Sequence, residues 1–300
     1  MQNGNGLGLM IILGVIGIGL FGGTNGTSSP RATTSKPSYT PPPKTQAQNE
    51  ADIRYQLNQA QKKAEDLKKQ IQAEEDKKTQ SVYKNIVNLN YVTRSTDPKK
   101  EYLQITVGTT KTPINVTGWT VKSENTGQTV QIPKGTYLYF AGTLNSEEDI
   151  YLNSGEKLYL VTGISPNGSS FKVNKCSGYL SQFQTFTPYL YTSCPAPKKE
   201  DLSSIPKTVK NDDCLDYIDR FPTCKIQTQN TPANWSYECT NFIYTKINYP
   251  SCINTHKGDV DFYVKEWRVY LKRSERLWKD RREKIVIYDS VGKIVDTLEY

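Results

Sequence analysis

Histidine is nearly absent from this sequence: His256 is the only one among 300 residues, alongside two methionines. Histidine is the usual general base near neutral pH, so a lone copy in the stretch NTHKGDVD, 254–261, reads first as a surface loop residue. No H-E-x-x-H and no glycine-rich phosphate loop occurs. S-x-x-K occurs twice, at Ser81 with Lys84 and at Ser204 with Lys207. Neither is followed by the S-D-N or K-T-G elements that a serine–lysine acylation site also needs. Glu147, Glu148 and Asp149 are consecutive, so their side chains diverge, and they read as a solvated turn rather than a glycosidase pair. Asn254, Asp259 and Asp261 offer oxygen ligands, but not at EF-hand spacing. The expected catalytic, cofactor and metal sets are therefore none, and the chain is not expected to be an enzyme.

Long apolar runs are also scarce. Hydrophobic residues make up 36% of the chain, below the usual globular share. The exception is LGLMIILGVIGIGLFGG at 7–23, which carries no charge and reaches the lower limit for a membrane-spanning helix. We expect a short tail at 1–6 and a transmembrane anchor at 7–23. A cleaved signal peptide is the competing reading, weakened because no Lys or Arg precedes the run. Residues 24–46 are rich in Thr, Ser, Gly and Pro, cannot bury a core and read as an extended linker.

Periodicity divides the rest of the chain. Over 47–79 the apolar positions Ile53, Leu57, Ala60, Ala64, Leu67 and Ile71 alternate in steps of four and three, the heptad pattern of a short coiled coil. The seam breaks at Glu74, so only weak self-association is expected of it. Beyond Val82 the period becomes two. Strands are expected at 101–107, 119–122, 129–132, 136–141, 157–162, 284–288 and 293–300, separated by Gly, Asn, Ser and Pro. Gly292 in the turn Asp289-Ser290-Val291-Gly292 supplies a positive φ for the last hairpin. Helical pieces are expected at 212–220, 236–247 and 274–280.

No C-x-x-C pair exists, which removes zinc-ribbon and thioredoxin-type spacing. Six cysteines nevertheless crowd one window: Cys176, Cys194, Cys214, Cys224, Cys239 and Cys252. An even set behind an apolar N-terminal segment reads as three disulfides in an oxidising compartment, with fifteen connectivities open. The basic residues Arg31, Lys36 and Lys44 after the span would favour a cytoplasmic body. The cysteines and the stalk-like linker favour the opposite, and we side with them: a single-pass cell-membrane protein with its body extracytoplasmic.

Several segments resemble the lamin-tail domain, an immunoglobulin-like β-sandwich. They are EYLQITV at 101–107, INVTGWTVKS at 114–123, IPKGTYLYF at 132–140, LNSGEKLYLV at 152–161 and EKIVIYDSVGKIVDTLEY at 283–300. The resemblance covers roughly 80–175 and 283–300. It implies an Ig-like antiparallel sandwich over 80–300, with Trp119 as a buried core anchor and a binding or structural role without catalytic residues. The departure is a cysteine-containing, partly helical insertion at 176–282.

That insertion is the candidate binding surface. It is rich in aromatics, including Trp235, Tyr237, Trp267 and Trp278, residue types frequent at binding hot spots. It also carries the sharpest part of the chain's net +8 charge. Over 272–284, seven basic side chains, Arg273, Arg276, Arg281 and Arg282 among them, face three acidic ones for a net +4. We expect a module that presents this domain to a cell-surface polymer or protein. A nucleic-acid binder using the 272–284 cluster is the alternative. A hydrolase is the third reading, and it requires a cleft with converging carboxylate or hydroxyl groups.

Overall fold

The computed structural model describes residues 45–140, 142–190 and 193–300. The expected anchor at 7–23 and nearly all of the linker lie outside the described residues. Among those described, no helix is long and apolar enough to cross a membrane.

Helix α1, Gln46–Thr79, has no buried side chain, and Ile53, Leu57, Leu67 and Ile71 are all more than half exposed. Within its last turn, the Lys77 carbonyl accepts a bond from Lys293 Nζ.

Eleven strands are described. They are β1 Val87–Thr93, β2 Tyr102–Val107, β3 Ile114–Asn115, β4 Thr120–Ser123, β5 Thr129–Gln131, β6 Tyr151–Leu152, β7 Lys157–Val161, β8 Phe171–Asn174, β9 Tyr263–Tyr270, β10 Lys284–Tyr288 and β11 Ile294–Glu299. One sheet has the order β1-β2-β7-β9-β8, a second β11-β10-β4-β5, and β3 pairs with β6. Between β8 and β9 lie three helices, α2 Asp212–Arg220, α3 Tyr237–Lys246 and α4 Tyr249–His256.

Both larger sheets feed one apolar core. Leu103, Ile105, Leu158, Leu160, Trp267 and Val269 come from the five-stranded sheet, and Val121, Val130, Ile285, Ile287 and Val295 from the other. Trp119, 1% exposed, stacks at 5.3 Å from Tyr83 within this core. The strand period of two turns alternate residues outward. Over β7, β8 and β9 that second face is also covered: Val161, Phe171, Val173 and Tyr270 join a separate cluster with α2, α3, α4 and all six cysteines.

The large sheet is mixed rather than purely antiparallel, because β7 and β9 run parallel, with Leu158 opposite Trp267 and Leu160 opposite Val269. The segment 176–282 is therefore no simple appendage; it returns β9 between β7 and β8. The second half of β9, Glu266–Tyr270, is buried on both faces although its polar–apolar alternation is that of a half-exposed strand. Its outer face carries Glu266 and Arg268, both buried. Arg268 binds Glu266 Oε1 through Nε at 2.7 Å, lies over the Tyr159 ring and donates to the carbonyls of Pro188 and Tyr189.

The expected helix at 274–280 is absent. The Leu277 and Trp278 amides donate instead to the buried Glu101 carboxylate at 2.8 and 3.3 Å, and Arg276 holds the Trp278 carbonyl and Asp280. These bonds divert backbone groups that a helix would need. The strand expected at 136–141 is reduced to bridges at Gly135 and Thr136. The last hairpin forms as expected: Gly292 has φ +81°, and Asp289 Oδ1 accepts from Val291 N and Lys293 N.

Candidate functional site

The six cysteines form three disulfides: Cys176–Cys252, Cys194–Cys224 and Cys214–Cys239. The first ties the end of β8 to α4, and the third joins α2 to α3. The second lies under the short 3-10 turn 177–182, where a Cβ on Gly178 would stand 2.3 Å from Cys224 Sγ. A side chain there would displace the bridge.

Cys194 of the second bridge lines an open cavity of about 630 Å³, together with Lys175, Ser193, Glu200, Thr223, His256, Asp259 and Asp261, among others. His256 closes α4, whose N-terminus is fixed by Asn248 Oδ1 accepting from Ser251 N. Its side chain is 19% exposed, so it is not the free loop residue expected from sequence. Nε2 lies 2.9 Å from Glu200 Oε1 and Nδ1 2.9 Å from Asp259 Oδ2. Only the imidazolium can donate from both nitrogens at once. Desolvation disfavours that charged form, but the hydrogen bonds and negative charges of Glu200 and Asp259 outweigh it and raise the pKa.

Lys175 Nζ completes the constellation, 2.9 Å from Asp259 Oδ2 and 2.5 Å from Asp261 Oδ1. Asp259 is held below the ordinary carboxylate range, first by its bond from Lys175 and then by that from His256. The oxygen set considered for a cation is thus resolved differently. Asp259 and Asp261 converge on an ammonium group, while Asn254 is exposed and takes no part. Among the described residues, no group of acidic, histidine or cysteine side chains is arranged to hold a metal ion.

The cleft does bring carboxylates and hydroxyls together, which is what a hydrolase reading requires. His256 has both nitrogens engaged by carboxylates, and no hydroxyl bonds to it among the described residues. Glu200 and Lys175 were invisible as site residues in the sequence. They stand 56 and 84 positions from His256 and Asp259 respectively, and no local motif joins them.

The other candidates are dispersed. Trp267 and Trp278 are buried, at 0% and 2% exposed, and cannot belong to an exposed aromatic surface. Trp235 is half-buried with its ring 5.1 Å from Tyr217, while Tyr237 is 78% exposed. In the basic segment Arg276 is paired with Asp280, Lys284 with Glu299, and Arg273 bonds Gln128. Arg281 and Arg282 are exposed. Glu148 pairs through its backbone with Gly135, and Asp149 with Lys134 and Asn115. The chain matches no family model and no curated protein.

Proposed function

We propose that this chain is an extracytoplasmic, membrane-tethered structural or binding module and not an enzyme. The observation that carries the reading is the pairing of all six cysteines. Reducing compartments keep thiols free, so three bridges within one buried cluster support the reading of an oxidising one. The fold is read as a lamin-tail-like, Ig-like sandwich. Support comes from two sheets sharing one core, from Trp119 between them, and from the pairing of the last hairpin with β4, Ile287 opposite Val121. The apolar run at 7–23 is read as the tether, connected along the chain to the domain by the linker and α1. The exposed seam of α1 offers weak self-association. The partner is a cell-surface polymer or protein that meets the outer face built by 176–262.

Nucleic acid fits less well. Arg273, Arg276 and Lys284 are engaged within the chain, and the two tryptophans that would stack on bases are buried.

The test is labelling of intact cells with a membrane-impermeant maleimide, with and without reductant. Labelling that appears only after reduction supports an oxidised body outside the membrane. Thiols that label only after lysis, without reductant, would reverse the orientation and restore the nucleic-acid reading.

A further inference from the structure

One lysine–carboxylate pair is sealed inside the fold. Lys172, in β8, is 4% exposed, and Glu156, one residue before β7, is 6% exposed. Lys172 Nζ stands 2.6 Å from Glu156 Oε2. The pair stands apart among the described residues. Lys175, the next most buried lysine to meet a carboxylate, has 16% of its side chain exposed. The other buried pair, Arg268 with Glu266, carries a guanidinium, which stays charged in proteins and is no nucleophile.

Backbone bonds fix both groups. Glu156 N donates to the Asn153 carbonyl at 3.0 Å, and Val107 N donates to the Glu156 carbonyl at 2.9 Å. Lys172 N donates to the Thr136 carbonyl at 2.9 Å, and Lys172 stands opposite Trp267 in the β8–β9 ladder. Since β9 lies between β7 and β8, the lysine stem crosses it, with Nζ 5.4 Å from the centre of the Trp267 ring. Tyr137 meets that ring edge-on at 4.8 Å. On the carboxyl group the two oxygens differ. Asn153 Nδ2 donates to Oε1 at 3.2 Å, whereas Oε2 accepts no further hydrogen bond. Burial disfavours the ammonium form and outweighs the bond and charge of Glu156 and the charge of Glu266, so Lys172 is held below the ordinary lysine range.

We propose that Lys172 and Glu156 join in an intramolecular isopeptide bond. A proton passes from Nζ to Oε2 and cancels both buried charges. The Nζ lone pair then adds to Cδ, while Asn153 Nδ2 donates to Oε1 as negative charge builds there. A second Nζ proton moves to Oε2, the Cδ–Oε2 bond breaks, and one water leaves. The amide keeps the third Nζ hydrogen, so atoms and charge balance without an oxidant or another reactant. The fold supplies what amide formation in water lacks: fixed proximity, and a dry site that favours the neutral amine and acid. A lasting ion pair would carry the desolvation of both charges, and the bond removes them. It ties the start of β7 to β8 across β9 with a link that reductant does not open. The assignment rests on this pair and not on the compartment, so its failure would leave the extracytoplasmic reading untouched.

The test is mass spectrometry of the full chain and of Lys172→Arg, both denatured, reduced and alkylated. After correction for the substituted atoms, the wild type should be lighter than the variant by one water. A chymotryptic digest, which cuts at Tyr159 and Phe171 between the two positions, should yield one branched peptide carrying both Glu156 and Lys172. The masses are read on denatured chains, so the comparison holds even if Lys172→Arg does not fold. The proposal is overturned by equal corrected masses, by chymotryptic peptides in which Glu156 and Lys172 are both unmodified, or by a one-water deficit located elsewhere in the chain.

Discussion

Removing the outermost disulfide should cost more than removing an inner one, and the difference can be worked out beforehand. Cys176–Cys252 spans 76 residues, Cys194–Cys224 spans 30 and Cys214–Cys239 spans 25. The last two overlap, and the first encloses both. In the chain-entropy account, a cross-link restricts the unfolded ensemble more as its loop lengthens, by about 4.5 kcal/mol for the longest loop and about 3.5 for the shortest. The variants Cys176→Ala with Cys252→Ala and Cys214→Ala with Cys239→Ala delete the same atoms, and all four positions are at most 5% exposed. Losses from packing should therefore largely cancel, leaving about 1 kcal/mol as the signature of loop length. Urea unfolding monitored by near-UV circular dichroism measures it, with equal m-values as the check that both variants unfold comparably. A larger loss for the 214–239 pair, or losses below about 1 kcal/mol for both, would refute the reasoning that these bridges brace the fold.

Arg268→Met leaves Glu266 with Lys157 as its remaining cationic partner and frees the carbonyls of Pro188 and Tyr189, so a loss of about 1–3 kcal/mol is expected in the same unfolding assay. Gly178→Ala drives a methyl into the Cys194–Cys224 bridge and should destabilise by about 1–3 kcal/mol, measured by thermal melting. Trp119→Ala should cost about 3–5 kcal/mol, since the ring fills the core shared by both sheets. His256 has a raised pKa, so its contribution is full below its unfolded value of about 6.5 and is lost as pH rises through the higher folded value. Asp259, with a lowered pKa, contributes above its unfolded value and loses that contribution as pH falls through the folded one. His256→Gln should accordingly flatten the alkaline side of a melting-temperature profile and leave an acid limb.

Where side chains alternate between one core and solvent, the chain could be read directly. The strand β2 is an example, with Leu103, Ile105 and Val107 buried and the intervening residues partly exposed. The helix α2 is another, matching 212–220, and the terminal hairpin rests on a single glycine requirement. The reading failed where both faces of a strand are covered. In β9 the sequence Glu266-Trp267-Arg268 looks like charged surface flanking an aromatic, yet all three are buried because the outer face is closed by a second core. It failed again at 274–280, where a buried carboxylate 176 positions away captures the Leu277 amide. Even cysteine spacing indicated bridging but not which cysteines pair. The constellation around His256 was illegible for the same reason: its members meet only after 176–262 has folded onto the sheet.

The most direct measurement is peptide mapping of the protein isolated from cells whose free thiols are alkylated at the moment of lysis. The account predicts no alkylated cysteine and three linked peptide pairs, 176 with 252, 194 with 224 and 214 with 239. Alkylation at all six positions would contradict it, because a chain that folds with free thiols has no need of the compartment on which the proposed function depends.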